Sequence, residues 1–363
     1  MTDLLTKALS NLTDAALALE MPDQTDALIL LTGEDARILE VVSSACYFRK
    51  KYFSNLVKLN YLVNIKSGFC QEDCSYCSQA KHSEADILRY PFIDTELLMK
   101  EVERGITSGA ARICLVASGR GPTERDITKI SAMVKEVKAA YPAVEICTSL
   151  GILAEEHARQ LKSAGVFAYN HNLNTSSEHY SKICSTHTYQ DRQETVQKAK
   201  TSGLSPCSGA LFGMGESDND IVSLAEGLYA ADPESVPVNF LLPFDGTPLS
   251  GFTALTPGRC LRILSLMRFY FPNKEIRAGA GRETHLRSMQ VLSLHVVNSL
   301  FVGDYLTSTG QPGEADIEMI RDAGFIPITP GGTENGTAGR PGIKSVKVES
   351  RKRGPGSKQI PNK

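Results

Sequence analysis

Three cysteines fall in one short run, Cys70-Gln-Glu-Asp-Cys74-Ser-Tyr-Cys77, preceded by the flexible pair Ser67-Gly68. Thiols this close together are an oxidation hazard unless a metal holds them, and thiolates suit zinc or iron–sulfur clusters. A closed structural zinc site takes four ligands, usually as two separated pairs. A Cys-x3-Cys-x2-Cys run supplies only three, which matches a cubane cluster with three irons held and the fourth open to bind and activate a second molecule. Zinc and incidental thiols are the alternatives. Cys114, Cys147 and Cys207 lie in three separate β-rich runs. Alternate side chains of a barrel strand point inward, so one register aims all three at a common interior. Spacing alone nevertheless favours small apolar filler, the commonest use of a buried free cysteine. Cys46 and Cys260, on helix-like segments, read as packing residues, and Cys184, in Ile183-Cys-Ser-Thr-His, as a free thiol near the reactive face.

Two further blocks carry polar or small residues where a strand should end. Asn170-His171-Asn172-Leu173-Asn174 would be a poor core segment unless its donors and acceptors meet a ligand; His171 orients its neighbours and is not read as a base. Gly209-Ala-Leu-Phe-Gly213-Met-Gly-Glu216 permits close backbone approach. His82, His157, His179, His187, His285 and His295 show no metal-ligand spacing.

These groups need a scaffold, and the pattern between Val57 and about Thr329 supplies one. Eight β-rich runs (57–66, 111–118, 144–150, 166–173, 205–213, 235–244, 275–280 and 299–306) alternate with helix-like segments such as 95–108, 126–140 and 257–271. Such alternation implies right-handed βαβ units and a parallel sheet. The expected fold is an α/β (β/α)8 TIM-type barrel, whose active site lies at the C-terminal ends of the strands. No Gly-x-Gly-x-x-Gly turn supports the competing doubly wound sheet. Residues 1–56 read as a helical extension, 57–330 as the barrel, and 331–363 as a disordered basic tail. That tail has eight Lys or Arg against two Glu and hardly any large apolar residue, so it cannot offset its ordering entropy.

Composition narrows the class. The chain of 363 residues is 42% hydrophobic and 22% charged with a formal charge of −2, and its tail of net +6 leaves the rest at −8. No run approaches the roughly 18 apolar residues of a membrane span, and the N-terminus lacks the basic and apolar regions of a secretory signal. A nucleic-acid platform is disfavoured. Nine cysteines, an odd count in a long chain with no export signal, point to reduced thiols in the cytoplasm.

The three-cysteine run after the first strand of such a barrel resembles the signature of the radical S-adenosylmethionine enzymes. The blocks 68–79, 169–176, 205–209, 246–249 and 280–283 resemble, in sequence and order, the biotin synthase family within them, and the likeness extends over the body to about residue 329. It implies a 4Fe-4S cluster on Cys70, Cys74 and Cys77 with S-adenosylmethionine on the open iron, and an auxiliary 2Fe-2S cluster on Cys114, Cys147, Cys207 and Arg277. It also implies that Asn170 and Asn172 face both S-adenosylmethionine and dethiobiotin, that Asn239 contacts the substrate ring, and that Arg192 pairs with the cofactor carboxylate. The resemblance further implies that Tyr76 shields the adenine, that Gly209 approaches the adenosyl end, and that Asn174 stands at a ribose-facing position where some relatives have Asp. The implied reaction inserts sulfur between C6 and C9 of dethiobiotin to form biotin. No side chain is basic enough to take a proton from such carbons, so the cofactors supply the reactivity. Implied partners are reduced flavodoxin or ferredoxin, iron–sulfur assembly proteins and a second copy of the chain. A radical S-adenosylmethionine enzyme that does not insert sulfur, and a non-catalytic metal-binding protein, are the competing readings.

Overall fold

The first strand, β1 (Leu56–Lys66), sets the pattern for the molecule. Val57, Leu59, Tyr61, Val63 and Ile65 are buried against the surrounding helices, while Lys58, Asn60, Leu62 and Asn64 face the barrel axis. The apolar stripe therefore points outward, as helices packed on the outside of a parallel sheet require. The polar stripe is free to build an interior.

A computed structural model of the chain describes residues 3–252 and 255–330 and the backbone of 332–333. After β1 come β2 (Arg112–Ala117), β3 (Glu145–Ser149), β4 (Ala168–Asn170), β5 (Ser205–Cys207), β6 (Ala210–Phe212), β7 (Ser235–Phe240), β8 (Glu275–Ala278), β9 (Ser299–Phe301), β10 (Ile326–Thr329) and β11 (Gly332–Thr333). The strands from β1 to β9 run parallel in chain order, and β9 pairs back on β1 to close the barrel. The fifth of the eight expected strands is broken at Ser208-Gly209 into β5 and β6, both of which pair with β7. Outside the closure, β10 adds in parallel to the start of β1, and β11 pairs antiparallel with β10. Gly332 and Thr333 thus carry sheet pairing just inside the segment expected to be a tail; the rest of that expectation lies outside the described residues.

The helices preceding the barrel are α1 (Leu4–Ala18), α2 (Gln24–Thr32) and α3 (Ile38–Phe53). Those of the barrel are α4 (Thr95–Thr107), α5 (Glu124–Ala140), α6 (Glu155–Ala164), α7 (Ser177–Ile183), α8 (Tyr189–Thr201), α9 (Asp218–Ala231), α10 (Pro257–Tyr270), α11 (Arg282–Leu286), α12 (Gln290–Ser293) and α13 (Gly313–Asp322). Their starts are written locally: Thr123, Thr188 and Ser217 each close a capping box with an Asp three residues on. Helix α10 is buried on nearly all sides because α2 and α3 cover the face it turns from the barrel. Two arginines are buried in it. Arg262 donates to the Leu30 and Glu34 carbonyls, and Arg268 to those of Val296, Phe271 and Lys274, so each guanidinium satisfies chain ends between elements. Among the described residues no helix is long and apolar enough to cross a membrane.

One buried ion pair ties the last helix to the barrel mouth. Asp316 of α13 accepts from Arg282 Nη2 at 2.7 Å on both carboxylate oxygens, and both side chains are essentially inaccessible. Replacing Asp316 by Ala strands a buried guanidinium, and a loss of about 3–5 kcal/mol is expected. The exposed Lys100–Glu96 pair, cut by Glu96→Ala, is expected to cost less than about 1 kcal/mol. Urea unfolding midpoints of the two variants at equal slope check the difference.

Candidate functional site

The inward stripes of the strands stack in layers along the barrel axis. Lowest is an ion network. Lys58 Nζ and Arg112 Nη2 reach Glu145 at 2.6 and 2.8 Å, Arg112 Nη1 reaches Glu275 at 3.0 Å, and Arg277 Nη2 reaches the same Glu275 oxygen at 2.5 Å. Burial alone would raise the Glu275 carboxyl, but Arg112, Arg277 and Lys58 hold it well below the usual carboxylate range. Arg277 Nε also donates to Ser299 Oγ at 3.3 Å.

The next layer holds the three dispersed thiols. Cys114 and Cys147 are direct neighbours across β2 and β3, and Cys207 sits beside Asn170 across β4 and β5. All three are buried, and Arg277 Nη1 lies 3.8 Å from the Cys207 sulfur. The neighbouring Cys147 thiol, then the charge of Arg277, lowers Cys207 below the usual thiol range against the cost of burial. Cys147 itself is raised by its thiol neighbours Cys114 and Cys207 and by burial. A filler role leaves a buried guanidinium 3.8 Å from a thiol in a barrel core unexplained. Three buried thiols gathered on the inward face beside Arg277 fit a metal–sulfur group.

Above the thiols opens a cavity of about 390 Å³, with Cys114, Cys147 and Arg277 in its lining and Cys70 and Cys77 on its upper wall. Between these levels lie the amides. Asn170 Nδ2 donates to Asn172 Oδ1 at 2.9 Å and stands 3.3 Å from the Cys207 sulfur. Asn239 uses one donor on the Ala210 carbonyl and one acceptor site on the Ala280 N–H. An amide has two of each, so one donor and one acceptor remain for a ligand. His171 lines the same wall with Nε2 unpartnered; burial, then the charge of Arg192, keep it neutral. Tyr76 enters the cavity with its hydroxyl receiving a bond from Asn174 Nδ2 at 2.6 Å. Asn174 holds that pose at φ 71°, in the left-handed region Asn tolerates better than most residues. Arg192 is buried, donates to the Asn172 carbonyl at 2.7 Å and to Tyr180 Oη, and keeps its edge on the cavity.

Gly209 is placed differently. It does not line the cavity: its N–H donates to Asn172 Oδ1 at 3.1 Å, and a Cβ there would sit 1.9 Å from the Pro237 carbonyl oxygen. The glycine is required by the neighbouring strand β7.

The signature loop is fastened on both sides. Gln79 Oε1 accepts from Gly68 N at 2.8 Å, and Ser78 meets Thr307 across the mouth at 2.8 Å. Asp73 accepts from the Ser185 and Thr186 amides, Glu72 from Thr186 Oγ1 and His187 Nδ1, and Ser75 N donates to the Ile183 carbonyl. Cys184, expected as a free thiol, is buried here with its sulfur 3.8 Å from that of Cys74. Cys260 is fully buried packing, as read; Cys46 is half-buried beside His295. Glu72, Arg112, Glu145, Glu275 and Tyr305 were not singled out from the sequence. A signal for three of them existed: Arg112, Glu145 and Glu275 stand two residues before Cys114, Cys147 and Arg277, so they share the inward face. His187, set aside for want of ligand spacing, is tied instead to Glu72 and Arg192.

Two family models match this chain: "Radical SAM superfamily" over residues 64–228 and "Biotin and Thiamin Synthesis associated domain" over residues 237–326. Among relatives, the biotin synthase of Streptomyces avermitilis is 53% identical over 317 residues, covering 87% of this chain and 82% of the relative. Biotin synthase 2 of Frankia casuarinae is 49% identical over 358 residues, 99% of both chains. Among solved structures, methylornithine synthase superposes with a TM-score of 0.75 at 22% identity, over 88% of this chain and 98% of that one. The [FeFe]-hydrogenase maturase of Carboxydothermus hydrogenoformans gives 0.73 at 19%, over 89% and 79%. Both show a shared fold.

The Gly209 contact generates a test. Gly209→Ala forces the β5–β6 break away from β7, and a loss of about 1–3 kcal/mol is expected from overpacking. A lowered chemical-denaturation midpoint at unchanged slope checks it.

Proposed function

The chain belongs to the biotin synthase family of radical S-adenosylmethionine enzymes, and on that premise we propose that it inserts sulfur between C6 and C9 of dethiobiotin to form biotin. The observation that carries this reading is the order of groups along one cavity: the signature cysteines Cys70 and Cys77 at the rim, amides midway, and Cys114, Cys147 and Arg277 at the floor, with Cys207 buried against Arg277. Members of this family require a 4Fe-4S cluster and S-adenosylmethionine. Cys70, Cys74 and Cys77 would hold that cluster, and Cys114, Cys147, Cys207 and Arg277 an auxiliary 2Fe-2S cluster. When bound, these groups supply a carbon radical able to break an unactivated C–H bond and a sulfide to capture the resulting carbon.

The protein's own part is placement. Arg192, anchored by Tyr180 and the Asn172 carbonyl, presents a fixed cation for the carboxylate of the methionyl group. Tyr76, pinned through its hydroxyl by Asn174, sets a ring edge against the adenine, and Asn174 stands toward the ribose. Asn170 and Asn172, bonded to each other, span the space between S-adenosylmethionine and dethiobiotin. The donor and acceptor left on Asn239 complement a ureido ring, which offers N–H and C=O side by side. Neutral His171 keeps a second charge away from the cavity. Gly209 acts one step removed, by letting β5 approach β7 so that Asn172 is oriented through its amide contact. Walls built this way hold reacting atoms in line and exclude water, which is worth several orders of magnitude in rate.

The helical cover 1–56, the barrel 57–330 and the basic segment 331–363 are proposed as the three parts of the enzyme. The reductant is a low-potential protein such as reduced flavodoxin or ferredoxin, iron–sulfur assembly proteins load the clusters, the working unit is a homodimer, and the compartment is a reducing cytoplasm.

Anaerobic reconstitution with iron and sulfide, Mössbauer spectroscopy and an assay for both biotin and 5′-deoxyadenosine test the reading. Cys74→Ala is expected to abolish both products. Cys147→Ala is expected to keep deoxyadenosine within about tenfold of the parent while biotin falls by more than about a hundredfold, since only the second thiol layer is removed. Equal loss of both products in the two variants would overturn the division of roles.

A further inference from the structure

Cys184 belongs to neither cluster set, yet its sulfur is held against that of Cys74 at 3.8 Å, with both residues buried. The contact is not a matter of one rotamer. The backbones on either side are tethered, by Ser75 N donating to the Ile183 carbonyl at 2.9 Å and Ser185 N donating to Asp73 Oδ1 at 2.9 Å. With His187 the two sulfurs form a group of ligand atoms all within 4.8 Å of one another, which raises the question of a soft-metal site. The imidazole is already committed: Nδ1 donates to Glu72 Oε2 at 2.5 Å, and Nε2 accepts from Arg192 Nη2 at 2.9 Å. Neither ring nitrogen has a lone pair left for a metal. Two thiols in contact remain, and the chemistry of two adjoining thiols is a disulfide.

We propose that in the cluster-free chain Cys74 and Cys184 form a reversible disulfide that protects the cluster-ligand thiol against irreversible oxidation, with a peroxide as oxidant. Cys184, followed in the chain by the exposed residues Ser185 and Thr186, takes the first oxidation in the proposed sequence. It attacks the O–O bond, giving a sulfenic acid and one water. The Cys74 sulfur then attacks that sulfenic sulfur, forming the S–S bond and releasing a second water. Two thiols lose two hydrogens and two electrons, and hydrogen peroxide becomes two waters. Closing from 3.8 Å to a bond of about 2.05 Å asks less than about 2 Å of movement of the two sulfurs. Without the partner, a sulfenic acid on Cys74 stays open to further peroxide, which carries it to acids that thiols do not reverse. The pairing stands on geometry alone. Its exclusion by a bound cluster rests on the reading of Cys74 given above.

The test uses the full chain, stripped of iron anaerobically, treated with hydrogen peroxide, alkylated and digested with trypsin. The expected result is peptide 67–81 joined to peptide 183–192, with fragment ions placing the bond at Cys74 and Cys184, and its release by dithiothreitol. In Cys184→Ser, peroxide followed by dithiothreitol is expected to leave about threefold less reconstitutable cluster absorbance than in the parent, because Cys74 is lost to sulfinic acid. Full alkylation of Cys184 after peroxide, or recovery of the variant equal to the parent, overturns the proposal. The same treatment of cluster-loaded chain is expected to give no joined peptide. Equal joining there, with cluster absorbance retained, would keep the pairing but remove Cys74 as a cluster ligand.

Discussion

Everything in the interior depends on the two-residue alternation of strands locked in parallel register. A shift of one residue in β2 or β3 would turn a thiol out among the helices and turn an Ile, Leu or Thr inward, and in β5 it would turn Pro206 or Ser208 inward. The outward stripe prevents this: Ile113 and Leu115 flank Cys114, and Ile146 and Thr148 flank Cys147, all of them buried. The apolar burial that stabilises the barrel from outside thereby fixes which polar groups meet inside.

Those polar groups must then satisfy one another. Three cations, Lys58, Arg112 and Arg277, face two carboxylates, Glu145 and Glu275, at the closed end. The surplus positive charge is directed upward, where Arg277 meets the Cys207 sulfur. Uncompensated, a buried guanidinium would be severely destabilising. Here Glu275 compensates Arg277, whose other edge faces the Cys207 sulfur, where a cation favours the ionised, metal-binding form of a thiol. The ion network and the thiol layer are thus one electrostatic unit, with the carboxylates setting how much charge reaches the sulfurs.

The open end follows a different rule. Loop 70–77 has no strand of its own to hold it, so its position comes from bonds to two other loops: 183–187, through Glu72, Asp73 and Ser75, and the segment after β9, through Ser78 and Thr307. Arg192 joins this assembly to the amide layer by way of Asn172 and Tyr180. A rim built of tethered loops over a rigid barrel leaves room for a large cofactor to enter while the floor stays fixed.

The eight-strand barrel, its helices, the signature run and the amide block were legible because each is a local pattern: period-two runs, period-3.6 runs, capping boxes and ligand spacing. The sequence also carried the family resemblance, which implies a ligand role for Cys114, Cys147, Cys207 and Arg277, whereas spacing alone favours filler for the three cysteines. Tertiary structure decided what no local pattern contains. It split the fifth strand at Ser208-Gly209, because Gly209 packs on the carbonyl of Pro237, and it added β10 and β11 beside β1. It brought Glu72 to His187 and Cys74 to Cys184 across more than a hundred residues. Alternation tells each strand which side faces in, but only closure of the barrel and docking of its loops determine which inward side chains become neighbours.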